Sequence, residues 1–185
     1  MTEGTMRSGD GNGWRLARWG AGAGLLLVPA VAMRFTSEVN WGPEDFIVMG
    51  GMIVLALGAY ELLATKAGNA AYRIASALAV LGAFLLVWIN LAVGIIGDEG
   101  NPANLMYFGV LAILTGGAAF AKGRAAAMAR TLFAVAGAQM LIAAVAVLGH
   151  MGSEGPIWPR DILGVTAILS GIALLSGALF RHSSR

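Results

Sequence analysis

The sequence predicts an all-α, polytopic membrane protein: a bundle of six transmembrane helices built as three repeated helical hairpins. Three observations carry that expectation. Of 185 residues, 58% are hydrophobic and only 12% are charged, with a mean hydropathy of +0.76. Soluble domains average about 25% charged residues, so this chain has about half the charge needed to cover a soluble surface. The apolar residues fall into six long runs, and a spanning helix takes about 20 residues, so six spans leave little room for anything else. Finally, the basic residues alternate from one side of these runs to the other.

Residues 1–13 are rich in Gly, Ser and Thr with mixed charge and read as a disordered cytoplasmic tail. Arg15 and Arg18 then precede an apolar run to about Met33. Basic residues before such a run, with Ala30-Val31-Ala32 near its end, also fit a cleavable signal peptide. The repeat described below makes this run equivalent to two later helices, which favours a retained first span. The further spans are expected at about 45–65, 72–96, 104–121, 127–149 and 161–180. All are nearly free of charge, and helix is the open-chain structure that satisfies a backbone in lipid. One transmembrane domain over 14–182 follows, with hairpins at about 14–66, 72–123 and 127–182 and a short tail at 183–185.

Arg7, Arg15 and Arg18 lie before the first run, Lys66 and Arg73 between the second and third, and Lys122, Arg124 and Arg130 between the fourth and fifth. Arg181 and Arg185 follow the sixth, while the intervening loops hold only Arg34 and Arg160. Lys and Arg collect on the cytoplasmic side, so both termini are expected there. The opposite face is acidic: Glu38, Glu44, Asp45, Asp98, Glu99, Glu154 and Asp161 all fall in its loops.

The repeat rests on spacing. Pro43, Pro102 and Pro159 lie 59 and 57 residues apart, each followed two positions later by Asp45, Asn104 or Asp161. Arg15, Arg73 and Arg130, spaced 58 and 57, open the odd-numbered helices. Proline suits the first helical position, where its missing N–H is not needed. An Asp or Asn in that turn can meet free backbone N–H groups and the positive end of the helix dipole. Asn101, just before Pro102, is placed as an N-cap. Helix grammar alone could also make three outer turns converge on this pattern. Small-residue pairs at Gly20/Gly24, Ala112/Gly116, Ala167/Gly171 and Ala173/Gly177 offer close helix contacts.

Polar residues inside the runs are few, and each is a candidate by default. Asn90 breaks the repeat, where Val31 and Val147 stand at the matching positions. Trp88 lies two residues before it. Gln139 lies mid-helix, and Glu61 is the intramembrane carboxylate. An interhelical hydrogen bond for the amides, and pairing with Lys66 or Arg73 for Glu61, are the simpler readings. With the polar cluster Asp98, Glu99, Asn101, Asn104 and Tyr107 beyond it, Asn90 marks the central outer hairpin as the candidate binding or interaction site. Catalytic residues are not expected: no phosphate loop, HExxH, nucleophile elbow or Ser/His/Asp set is present. There are no cysteines, which removes disulfides and thiolate metal sites. His150 and His182 fall on opposite faces, and the outer carboxylates lack EF-hand spacing, so neither metal nor cofactor is expected. A formal charge of only +2, dispersed at helix ends, argues against nucleic acid.

The stretch from Trp88 to Tyr107, with its Trp-x-Asn-x-Ala-Val-Gly-Ile-Ile-Gly and Asn-Pro-Ala-Asn-x-Met-Tyr segments, resembles a family of small, uncharacterised bacterial inner-membrane proteins. The likeness covers the central hairpin. It implies a bacterial inner-membrane location and no particular activity. A fainter likeness, through Trp-x-Asn-Leu, is to bacterial membrane repeat proteins named for a Ser-Pro-Trp tripeptide that this chain lacks. The expected function is therefore a non-catalytic membrane protein that binds membrane lipid, a membrane-protein partner or a second copy. The alternative is a small transporter or channel using Asn90, Gln139 and Glu61.

Overall fold

A computed structural model describes residues 9–37 and 39–185. Most of the proposed N-terminal tail, and Glu38, lie outside the described residues. Six α-helices follow one another: α1 (Gly9–Ala32), α2 (Pro43–Ala64), α3 (Ala70–Ala92), α4 (Met106–Ala121), α5 (Ala125–Leu148) and α6 (Arg160–Ser183). A 3₁₀ turn over Pro102–Leu105 leads into α4. No strand occurs among the described residues. Helices α2 to α6 are long and apolar enough to cross a membrane, with α4 counted from Pro102; α1, which carries Arg15 and Arg18, is not among these five.

Solvent preference follows from what the helices leave uncovered. Even α5 and α6, the most enclosed, have only 39% of their most apolar windows buried. Phe120 and Leu148 are 83% and 82% exposed. Such continuous apolar surface has no place in water, and helices with internally satisfied backbones suit lipid. The chain is an integral, multi-pass membrane protein.

Two compact units are formed, one through Ala59 and one from Tyr60 to Arg185. In the first, α1 and α2 meet through glycine. A Cβ on Gly22 would stand 2.9 Å from both Ile53 and Leu57, so only the bare backbone fits. Gly20 and Gly24, the pair expected to make a close contact, have no neighbour within 4 Å of their Cβ positions. The contact face is rotated away from that pair.

The second unit is built on α5 and α6, with α3 packed on α6 and α4 packed on α5. Leu86, Leu132, Ile162, Leu169 and Phe180 fill its core. Gly177 of the expected Ala173/Gly177 pair lies under the Phe133 ring and 3.3 Å (from its Cβ position) from the Ala129 carbonyl. The α4–α5 contact uses Gly117 against Thr131, while Gly116 faces open space. Polar side chains tie helix to helix: Ser176 donates to the Ala75 carbonyl at 2.7 Å, and Ser170 donates to Gln139 Oε1 at 3.1 Å.

The ends of this unit differ. At one end, Asn69 caps α3 by accepting from the Tyr72 amide at 2.9 Å, and Tyr72 donates its hydroxyl to the Gly123 carbonyl at 2.9 Å. Lys66 lies against Gly123, and Asn69 reaches the Ser183 carbonyl. The basic connections and the C-terminal end of α6 therefore share one end. At the other end, the 93–105 and 149–159 connections meet at Gly97 and Gly152.

Helix boundaries depart from expectation at one important place. The third helix was expected to continue to Ile96, but α3 ends at Ala92 and Gly94 turns the chain with φ +72°. The apolar residues Ile95 and Ile96 are buried as loop. Pro43 opens α2 and Pro102 opens the 3₁₀ turn, as their chemistry requires, whereas Pro159 sits one residue before α6 after a cis peptide bond. The three side chains two positions later do three different things. Asp45 accepts from the Gly42 amide at 2.9 Å, Asp161 accepts from the Ile162 amide at 2.8 Å, and Asn104 binds the preceding loop.

Candidate functional site

The connection between α3 and α4 is organised by Asn104, which is 4% exposed. Its Oδ1 accepts from the amides of Ile95 and Ile96 at 3.0 and 2.9 Å. Its Nδ2 donates to the carbonyls of Ile96 and Asp98 at 3.3 and 2.7 Å. One side chain thereby satisfies backbone groups that a buried loop would otherwise strand, each worth about 1–3 kcal/mol if left unpaired. Asn101 accepts from the Ala103 amide at 2.9 Å and caps the 3₁₀ turn as expected. Asp98 Oδ1 accepts from the Gly100 amide at 3.0 Å, tightening the tip. Asn101, Asn104 and Asp98 thus shape the loop with their own side chains.

Beneath this loop, α3 and α4 diverge and leave a cleft of about 510 Å³. That falls within the range of about 300–1,000 Å³ typical of small-ligand sites. Leu86, Val87 and Leu91 form its α3 wall, Tyr107, Phe108 and Leu111 its α4 wall, and Glu99 to Asn101 its rim. Depth along the helices sorts these residues by chemistry. With a rise of 1.5 Å per residue, Asn90 lies about 3 Å and Leu86 about 9 Å inside the Ala92 end of α3. The polar lining residues lie toward the loop, beside Leu91, Pro102 and Leu105, and the lining further along the helices is apolar apart from Tyr107.

Asn90 lines this cleft, but its Nδ2 is buried away from the opening and has no hydrogen-bond partner. Burying an amide without a partner is costly in an apolar setting. Two further unpaired groups lie behind the wall. Tyr107, 2% exposed, turns its hydroxyl to Thr166 of α6, yet neither hydroxyl reaches hydrogen-bond geometry. Glu99 is exposed at the rim. Trp88 is half-buried on α3 and has an interaction of its own.

Of the residues singled out from sequence, Asn90, Glu99, Asn101, Asn104 and Tyr107 all line this cleft, and Asp98 sits beside it in the same loop. Gln139 does not line it: it is held by Ser170 between α5 and α6, the simpler role expected for it. Glu61 is half-buried near the inner end of α2 and is engaged rather than free. Among the described residues, no three His, Asp or Glu side chains converge on a site that could hold a metal ion.

Comparison with protein-family models, curated proteins and solved structures returns no match. The site is read from its own geometry. It has apolar helix walls, an asparagine near the end of α3 and one carboxylate on the loop. Sequence reasoning missed Leu86 as the floor of the cleft and Ile95–Ile96 as a buried loop. The flanking Gly94 and Gly97 were the available signal for the second, since glycines on either side of a short apolar pair mark a turn.

Proposed function

We propose that this chain is a non-catalytic membrane protein that binds a lipid in the cleft between α3 and α4. The observation that carries this reading is the cleft itself, about 510 Å³ with Leu86, Val87, Phe108 and Leu111 along the helices and Asn90, Glu99 and Asn101 toward the loop. A glycerolipid matches that gradient. Its acyl chain lies along Leu86, Val87 and Leu111, its glycerol backbone lies at the level of Asn90, and its head group emerges at the rim. Transport along Asn90, Gln139 and Glu61 has less support, because Gln139 is committed to Ser170 and Asn90 alone of the three lines the cleft.

In this reading α1 is a sixth span, both termini are cytoplasmic, and the membrane is a bacterial inner membrane. The clustering of Lys66, Lys122 and Arg124 with the C-terminal end of α6 supports the orientation. Native mass spectrometry of protein extracted mildly from its own membrane tests the function. Wild type is expected to retain a lipid, and Val87→Trp, which fills the cleft, is expected to lose it. Bare wild-type protein, or equal retention by Val87→Trp, would refute the reading.

A further inference from the structure

We infer that the lipid held in this cleft carries a positively charged amine on its head group, as an ethanolamine phospholipid does, and that Glu99 selects it; this rests on the lipid-binding reading above. The site has an uneven charge distribution. Glu99 lines the loop end, and among the described residues no Lys or Arg lines the cleft. A head group with net negative charge would bring no cation to answer either that carboxylate or its own phosphate. An amine brings the complementary charge to the same place.

The neighbouring carboxylate is occupied differently. Asp98 Oδ1 is held by the Gly100 amide, and the Asp98 carbonyl accepts from Asn104. Glu99 is the rim carboxylate that lines the cleft itself. The vertical arrangement fits a phospholipid. From Leu86 to Asn90 is about 6 Å of helix rise, and the loop stands above Asn90. Acyl chain, glycerol backbone and head group therefore meet apolar wall, Asn90 and carboxylate in that order. Attraction of the amine and repulsion of anionic heads act together, so selectivity comes from disfavouring the wrong ligand as well as favouring the right one.

The test titrates delipidated full-length protein in neutral detergent with ethanolamine phospholipid and, separately, with glycerol phospholipid of the same acyl chains. Bound lipid is counted by native mass spectrometry. Wild type is expected to hold the ethanolamine lipid about fivefold more tightly, the scale of an exposed ion pair. Glu99→Gln, at an exposed loop position, is expected to bring that ratio close to one while still binding lipid. Equal affinity in wild type, or an unchanged ratio in Glu99→Gln, overturns the amine inference; the lipid site survives that result if Val87→Trp still abolishes binding. Retention that ignores Val87→Trp, or no retention by wild type, overturns the site itself. A homodimer that excludes lipid, and that Val87→Trp dissociates, overturns both.

Discussion

Gly97 and Gly152 meet backbone to backbone where the α3–α4 and α5–α6 connections come together. A Cβ on Gly152 would stand 2.6 Å from the Gly97 nitrogen and 2.8 Å from its Cα. Both glycines also have positive φ, +74° and +70°. Space and backbone conformation therefore demand glycine twice over at this junction, which buttresses the loop above the cleft.

Gly152→Ala is expected to lower stability by about 1–3 kcal/mol, from left-handed backbone strain alone, with the clash adding to it. Thermal unfolding in detergent measures this. The same substitution at Gly164, whose Cβ position is open and whose helix favours alanine, is expected to be neutral or mildly stabilising. Equal behaviour of the two variants would show that the junction is loose.

Asn104 and Asn90 are both amides near the cleft, and their substitutions are expected to differ in sign. Asn104→Ala removes the partners of two amides and two carbonyls in a buried loop. It is expected to destabilise by about 1–3 kcal/mol or more and to abolish hydrogen-exchange protection of the Ile95 and Ile96 amides. Asn90→Leu removes a donor that has no partner. In lipid-free detergent it is expected to be neutral or stabilising by up to about 1 kcal/mol. A strongly destabilised Asn90→Leu would assign Asn90 to the scaffold instead of the site.

That contrast shows how far the sequence could be read. Length, hydropathy and charge alternation made the helical membrane class legible, since each rests on local composition. The central hairpin stood out as a candidate because Asn90 and the polar run after it interrupt apolar sequence, and five of the residues singled out there line one cleft. The division of labour within it was not. Asn101, Asn104 and Asp98 bind backbone groups through the loop's fold, and nothing in residue type separates them from Asn90. Likewise Gly22 and Gly117 make the close contacts in place of Gly24 and Gly116, because helix rotation is set by packing that a spacing pattern does not record. Pro43, Pro102 and Pro159 share a spacing, but the polar residues that follow them bind different groups. Triplication remains a proposal about origin, independent of turn geometry.

The Gln139–Ser170 bond is buried between α5 and α6, with Gln139 3% and Ser170 1% exposed. In lipid such interhelical bonds average only about 0.6 kcal/mol by double-mutant cycles. A cycle of Gln139→Leu and Ser170→Ala is expected to give coupling on that scale and to leave lipid retention unchanged. Coupling several times larger, or a change in lipid retention, would connect this pair to the cleft.

Topology is open to direct measurement because the chain has no cysteine. Single cysteines can be placed at Ser153, in the α5–α6 connection, and at Ser184, beyond α6, in an otherwise unreactive protein. A membrane-impermeant thiol reagent applied to intact cells is expected to label the first and spare the second, reversing in inverted vesicles. The Lys and Arg distribution requires that outcome if it sets orientation. Gly13→Cys decides the remaining span. Protection in intact cells, with Ser153→Cys labelled in the same experiment and the N-terminal residues still attached, makes α1 a sixth crossing. Labelling of Gly13→Cys from outside would leave five crossings and place the N-terminus across the membrane from the C-terminus.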